Sequence, residues 1–277
     1  MNETIGMTSL QIRKVEHLTL RSVATRAKLV AIAERLFAER GIEGVSLSDI
    51  NKKAGQRNKN ATHYHFGSKD GLLQAILDKH VPGIAARRNA LLDDLEARGE
   101  PTLRDVVRAL VYPVAEKLLD PDGGKEFVRL DAQLVATHTL SIQNLRTSSF
   151  KLSQVDRLTR ALLGVIKNLP EPVAQQRLML AAVVLFHGLA DHSRMLDVSE
   201  MKSLAMHTEL LVRNLEDCLV ALLGGPVSPG TAELLSQLGG ESDVPRRKPK
   251  SGSRKAADGN TVHSRTAEVR PPGSKGP

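Results

Sequence analysis

The sequence predicts an all-α fold: an N-terminal three-helix bundle containing a helix-turn-helix, followed by a larger helical domain. Three observations predict it. Apolar residues recur at three- and four-residue steps through most of the chain. Leu, Ala and Val dominate the 41% hydrophobic content, while aromatics contribute 3% and Trp is absent. That mix suits helices better than strands, which are enriched in aromatic and β-branched residues. No segment alternates apolar and polar residues over a strand's length.

The elements follow in order. Residues 1–22 show no strong period and read as a flexible or partly helical leader. From Ala24 to Arg40, Leu29, Ile32, Ala33, Leu36 and Phe37 form one apolar face, and Gly41 is a natural stop. Ser46-Leu47-Ser48-Asp49 fits a capping box for a second helix that ends at Gly55. A polar turn leads to a short helix from about Asn60 to Phe66. Ser68 caps the next one, whose apolar face is Leu72, Leu73, Ile76 and Leu77. Residues 23–80 thus make the first domain. Residues 81–225 make the second, with Pro82 placed to kink or break its opening helix and Pro101 placed to start the next. Further helices are expected near 125–145, 151–169, 172–189 and 199–223. Residues 226–277 read as a linker and a disordered basic tail, too poor in large apolar residues to offset chain entropy.

Composition narrows the function. The single Cys218 excludes an intramolecular disulfide framework and a multi-cysteine zinc site. No basic-then-apolar signal opens the chain, and the run Leu178–Phe186 is too short to span a bilayer, so a cytoplasmic protein without a membrane partner is expected. Charge is unevenly placed. Residues 13–80 hold 13 Lys and Arg against 7 Asp and Glu, residues 81–240 hold 17 against 19, and residues 241–277 hold 9 against 4. A compact segment with a surplus of cations suits a polyanionic partner.

The block Ser46–Lys69 gives that partner a form. Two short helices joined by a glycine-containing turn, the second small, polar and basic, have the layout of a helix-turn-helix. The second helix would lie in the major groove of duplex DNA. Arg57, Asn58, Lys59, Asn60 and Thr62 supply suitable chemistry, since Arg or Lys can fork onto guanine and Asn onto adenine. His63, Tyr64 and His65 follow as candidate phosphate contacts, and Lys69 with the backbone amides of the next helix as a phosphate clamp.

Several sequence segments support a resemblance to a known family. These are Thr25-Arg26, Leu36-Phe37-Ala38-Glu39-Arg40-Gly41, Val45-Ser46-Leu47-Ser48-Asp49-Ile50, Ala54-Gly55, and the run Tyr64-His65-Phe66-Gly67-Ser68-Lys69-Asp70-Gly71-Leu72-Leu73. Together they resemble the TetR family of bacterial repressors over residues 25–80. The turn from Gly55 to Thr62 is one residue longer than the family's usual turn, so each of Arg57 to Asn60 stands as a base-reading candidate. The resemblance implies an all-helical homodimer whose last two helices form a four-helix interface. It also implies a pocket in the middle helices, where a small molecule binds and releases a palindromic operator. The DNA-contacting set is then Thr25, Ser46, Arg57, Asn58, Lys59, Asn60, Thr62, His63, Tyr64, His65 and Lys69.

The late helices fit a subunit interface on their own terms. Leu178, Leu180, Val184 and Leu185 with Leu204, Leu211, Leu215, Leu219 and Leu222 give more apolar surface than one helix pair needs. Tyr112, Arg129, Gln133 and His138 are polar residues within apolar helices, candidates to orient an effector or simply to face water. His187 and Asp191, four apart, share a helix face and join them as candidate ligand contacts. Neither this pair nor His63 and His65, which diverge at a spacing of two, makes a metal set. Cys218 reads as a small packed residue. No catalytic motif, metal or cofactor is expected. The rival readings are a helical adaptor and a small-molecule enzyme, each with a basic N-terminal bundle; no phosphate loop or nucleophile elbow supports the enzyme.

Overall fold

The structure is a computed structural model that describes residues 9–137, 155–198 and 207–241, all helix or connecting turn, with no strand among them. Residues 1–227 form one compact unit and residues 228–277 another.

In the first unit, α1 (Ser9–Arg40) starts well before the expected Ala24. Its apolar face, Leu29, Ala33, Leu36 and Phe37, is buried, and Gly41 ends it at φ +81°. The short helices α2 (Leu47–Lys53) and α3 (Ala61–Phe66) follow, then α4 (Lys69–Arg98). Ile50, Ala54, Ala61, Leu72 and Ile76 close on α1 to make the core of the N-terminal bundle. Pro82 does not end α4; it removes only the N–H that would have bonded the turn before it.

The helical domain comprises α5 (Leu103–Ala115), a 3₁₀ turn (Glu116–Leu119), α6 (Gly124–Ala136), α7 (Val155–Val165), α8 (Glu171–Asp197) and α9 (Thr208–Gly224). Thr102 caps α5 through a reciprocal box with Asp105, whose carboxyl is held below its usual range by the Thr102 hydroxyl and amide. By length and composition α8 could cross a membrane, yet its Leu178, Ala181, Ala182, Leu185 and Leu189 face is packed in the core. Leu215, Leu219 and Leu223 of α9 are buried there as well.

This packing corrects the expected interface surplus. Leu178, Leu185, Leu215 and Leu219 are consumed by the chain's own core, and Leu211 and Leu222 are half-buried. Leu180, Val183 and Val184 of α8 remain exposed. Leu204 lies outside the described residues.

In the second unit the chain forms α10 (Pro229–Glu241) where a linker was expected. Ser228 starts it: its hydroxyl accepts from the Thr231 amide, and Pro229 takes the first helical position. Leu234 and Leu238, one turn apart, are exposed. The basic tail beyond Glu241 lies outside the described residues.

Candidate nucleic-acid interface

The reading head is built around a residue that the sequence reading passed over. Asn51, near the end of α2, is 4% exposed. Its Nδ2 donates to the Lys59 carbonyl at 2.6 Å, and its Oδ1 accepts from the Thr62 amide at 3.0 Å and the Thr62 hydroxyl at 2.5 Å. One side chain therefore fixes the turn and the first residues of α3 to α2. A buried amide engaged at both ends also avoids the cost of an unpaired polar group.

The clasp decides which predicted residues face solvent. Thr62 is fully buried and committed to Asn51, so it shapes the turn and does not read bases. Arg57, Asn58, Lys59 and Asn60 are exposed in the turn. Asn58 Oδ1 accepts from the Asn60 amide at 2.9 Å, while Asn60, at the N-cap of α3, makes no side-chain cap. His63 is exposed and Tyr64 is 79% exposed, an unusual position for a large aromatic residue. His65 is half-buried and meets the Tyr64 ring edge-on at 5.1 Å. Thr25 is half-buried on α1, and Arg26 beside it sets its guanidinium 5.1 Å over the Phe66 ring.

Ser46 is exposed, but its hydroxyl is engaged in the predicted capping box with Asp49. Those Ser46 hydrogen bonds hold the Asp49 carboxyl below its usual range. Lys69 turns back to the end of α1, donating to the Ile42 carbonyl at 2.9 Å with Glu43 at 3.8 Å. Its first role is thus to fasten α4 to the α1–α2 turn.

The head is wired to the helical domain at two places. Gln133 of α6 accepts from the Ile42 amide and donates to the Phe37 carbonyl, each at 3.0 Å. Glu34 of α1, 1% exposed, meets His80 Nε2 at 2.8 Å and Lys79 Nζ at 2.9 Å, and Lys79 reaches Asp122 at 2.9 Å. The His80 ring stacks on Phe127 of α6 at 4.4 Å.

The ligand candidates do not converge. Gln133 is used as above, and buried Arg129 donates to the hydroxyl and carbonyl of Ser193 and pairs with Asp197, tying α6 to α8. Asp191 is exposed and paired with Arg194, His187 is half-buried, and His138 lies outside the described residues. Tyr112 does line a groove, of about 910 Å³, with Leu119, Leu210 and Arg213 between α5 and α9. Its hydroxyl lies 3.3 Å from Glu216. Burial and the Glu216 charge raise its pKa. A second groove, of about 680 Å³, lies between α4, α5 and α7 against Leu92, Leu95, Val106, Ala161 and Val165. Sequence reasoning also missed Arg88 and Asp131. Burial pushes the Asp131 carboxyl up to about 7, only partly offset by Arg88, whose own pKa burial lowers to about 10.

An exposed basic turn and a short helix that exposes His63 and Tyr64, held to a capped helix by a buried amide, define a helix-turn-helix protein. Residues 29–76 match the sequence profile of the bacterial regulatory proteins of the tetR family. The HTH-type transcriptional repressor Rv3405c of Mycobacterium tuberculosis is 32% identical over 131 residues, 42% of this chain and 69% of that protein. The chain belongs to the TetR family. The probable HTH-type transcriptional regulator ArpR of Pseudomonas putida is 43% identical over 77 residues, 27% of this chain. The regulator TtgR of the same species is 43% identical over 54 residues, 20% of this chain. The chain spans 36% and 25% of the length of these two relatives. A crystal structure described as a TetR-family regulator from Rhodococcus sp. aligns at TM-score 0.35 and 19% identity, covering 72% of this chain and 98% of that one.

Proposed function

We propose that the chain is a homodimeric repressor that binds a palindromic operator in duplex DNA and is released from it by a small-molecule effector. The observation that carries the reading is the Asn51 clasp. It presents Arg57, Asn58 and Asn60 together at the start of α3, with His63 and Tyr64 behind them, all exposed. These are the groups that read base edges and hold phosphates. One such head covers few base pairs, so selective binding calls for two heads across half-sites one helical turn apart. The exposed Leu180, Val183 and Val184 of α8 support pairing through the late helices.

The groove between α4, α5 and α7 supports an effector site in the helical domain, as Leu92, Leu95 and Val106 beside Glu96, Glu100 and Lys167 suit an amphipathic ligand. Release then works as a population shift, with the effector favouring a spacing of the two heads that mismatches the half-sites. Gln133 and Glu34 supply contacts through which α6 and α4 act on α1. The relatives' names as regulators support a cytoplasmic, non-enzymatic role.

Selection of bound sequences from a random duplex library, with the full chain at physiological salt, tests the reading. A palindromic motif is expected. Recovery of sequences without a motif, from protein verified as folded, overturns it in favour of an adaptor.

A further inference from the structure

The family profile begins at residue 29, but α1 begins at Ser9. Twenty residues of helix therefore precede the reading head, roughly 30 Å at 1.5 Å per residue. From Ser9 to Lys28 this segment holds Arg13, Lys14, Arg21, Arg26 and Lys28 against the single acid Glu16. Arg21, Lys28 and Arg35 stand seven residues apart, so they fall on one face of the continuous helix. Arg21, Lys28 and Arg35 are exposed. Leu20 and Val23 are 66% and 61% exposed, so the helix around them has left the core that buries Leu29 and Val30.

Its point of departure is defined. Arg26 lies over Phe66, the last residue of α3, with exposed Tyr64 two residues away. The upstream helix thus leaves the head beside the C-terminal end of the element that meets DNA. A duplex seated on α3 continues past that end, and its sugar-phosphate backbone carries the charge that a cationic helix face neutralises.

We infer that the N-terminal extension of α1 is a second DNA-contacting element, binding backbone phosphates beside the half-site with Arg21 and Lys28 and reading no bases. The inference rests on the proposed operator-binding function. It assigns this segment affinity without sequence information, a role distinct from that of the turn and α3.

The test measures affinity for the selected operator as a function of salt. It compares the full chain with a double variant, Arg21→Gln and Lys28→Gln, and with a chain lacking residues 1–19. Gln removes the charge and keeps helix propensity, and circular dichroism with sedimentation checks folding and subunit number. Each lost phosphate contact makes the slope of log K against log salt shallower by about 0.9, so the double variant, carried by both subunits of the dimer, is expected to lose about 3 to 4 from the slope. It is expected to lose roughly tenfold or more in affinity at physiological salt, while selecting the same motif. An unchanged slope overturns the inference, and so does a change in subunit number on removing residues 1–19, which makes the segment a protein contact. An unmodified chain without any sequence preference instead overturns the operator-binding reading, so the two failures are distinguishable.

Discussion

At the scale of single residues the reading head depends on Asn51 more than on any exposed side chain. Asn51→Ala leaves the Thr62 amide and the Lys59 carbonyl without their partner. An unsatisfied buried group costs about 1–3 kcal/mol, so the variant is expected to lose that much in urea denaturation and to bind operator with blurred preference. The exposed residues divide differently. Arg57→Ala and Asn60→Ala are expected to change the preferred base at one position per half-site. Tyr64→Ala is expected to weaken all duplexes alike, and repeated library selection on each variant shows the difference. The sequence made these residues candidates, and their exposure agrees with it, because a basic polar turn is a local feature. It could not separate Thr62 from them. Whether a polar residue in a short helix faces water or a buried amide is set by Asn51, eleven positions away.

At the scale of elements, caps were the most legible signals. Ser46 and Ser68 each accept the hydrogen bond expected of an N-cap, whereas the helix expected to start at Pro101 starts at Leu103, capped by Thr102. Longer-range demands were not legible. Gln133 and Arg129 read as polar residues in an apolar helix, placed to orient an effector or to face water, but both hydrogen-bond between helices. The start of α10 was hidden because Ser228 and Pro229 sit in a stretch rich in loop-forming residues. Gly123 shows how tightly the head meets the helical domain. It holds φ +78° before α6, and a Cβ there would lie 2.4 Å from Glu34 Oε2. Gly123→Ala is therefore expected to cost at least about 1–3 kcal/mol from backbone strain alone, as it also disturbs the Glu34–His80–Lys79 cluster. Gly164→Ala, in α7 with nothing near the added methyl, is expected to gain about 0.5–1 kcal/mol. Thermal denaturation of the two variants should move the midpoint in opposite directions.

At the scale of the whole molecule, stability and assembly each lead to a measurement. Asp131 is buried and its carboxyl titrates near 7 in the fold, against about 3.9 in an unfolded chain. Between those values the folded state keeps a proton that the unfolded state has released. Stability is therefore expected to fall as pH rises from about 4 to about 7 and to level off above. Asp131→Asn should flatten that slope in denaturation experiments run across the same range, and an unaltered slope would assign the dependence to other groups. Assembly turns on what α8 and α9 leave outside. Much of the leucine content of these helices is spent on the chain's own core, so the apolar surface left for a partner is narrower than the sequence suggested. On α8 it is the strip Leu180, Val183 and Val184. A charge on this strip should oppose pairing without entering the core, because burying an unpaired carboxylate is costly while exposing one is not. Leu180→Glu with Val184→Glu is therefore expected to leave helicity intact and to halve the mass in sedimentation. Operator binding should fall to the level of a single half-site. A double variant that still sediments as a dimer would move the interface to another face of the molecule, while leaving the reading head as assigned.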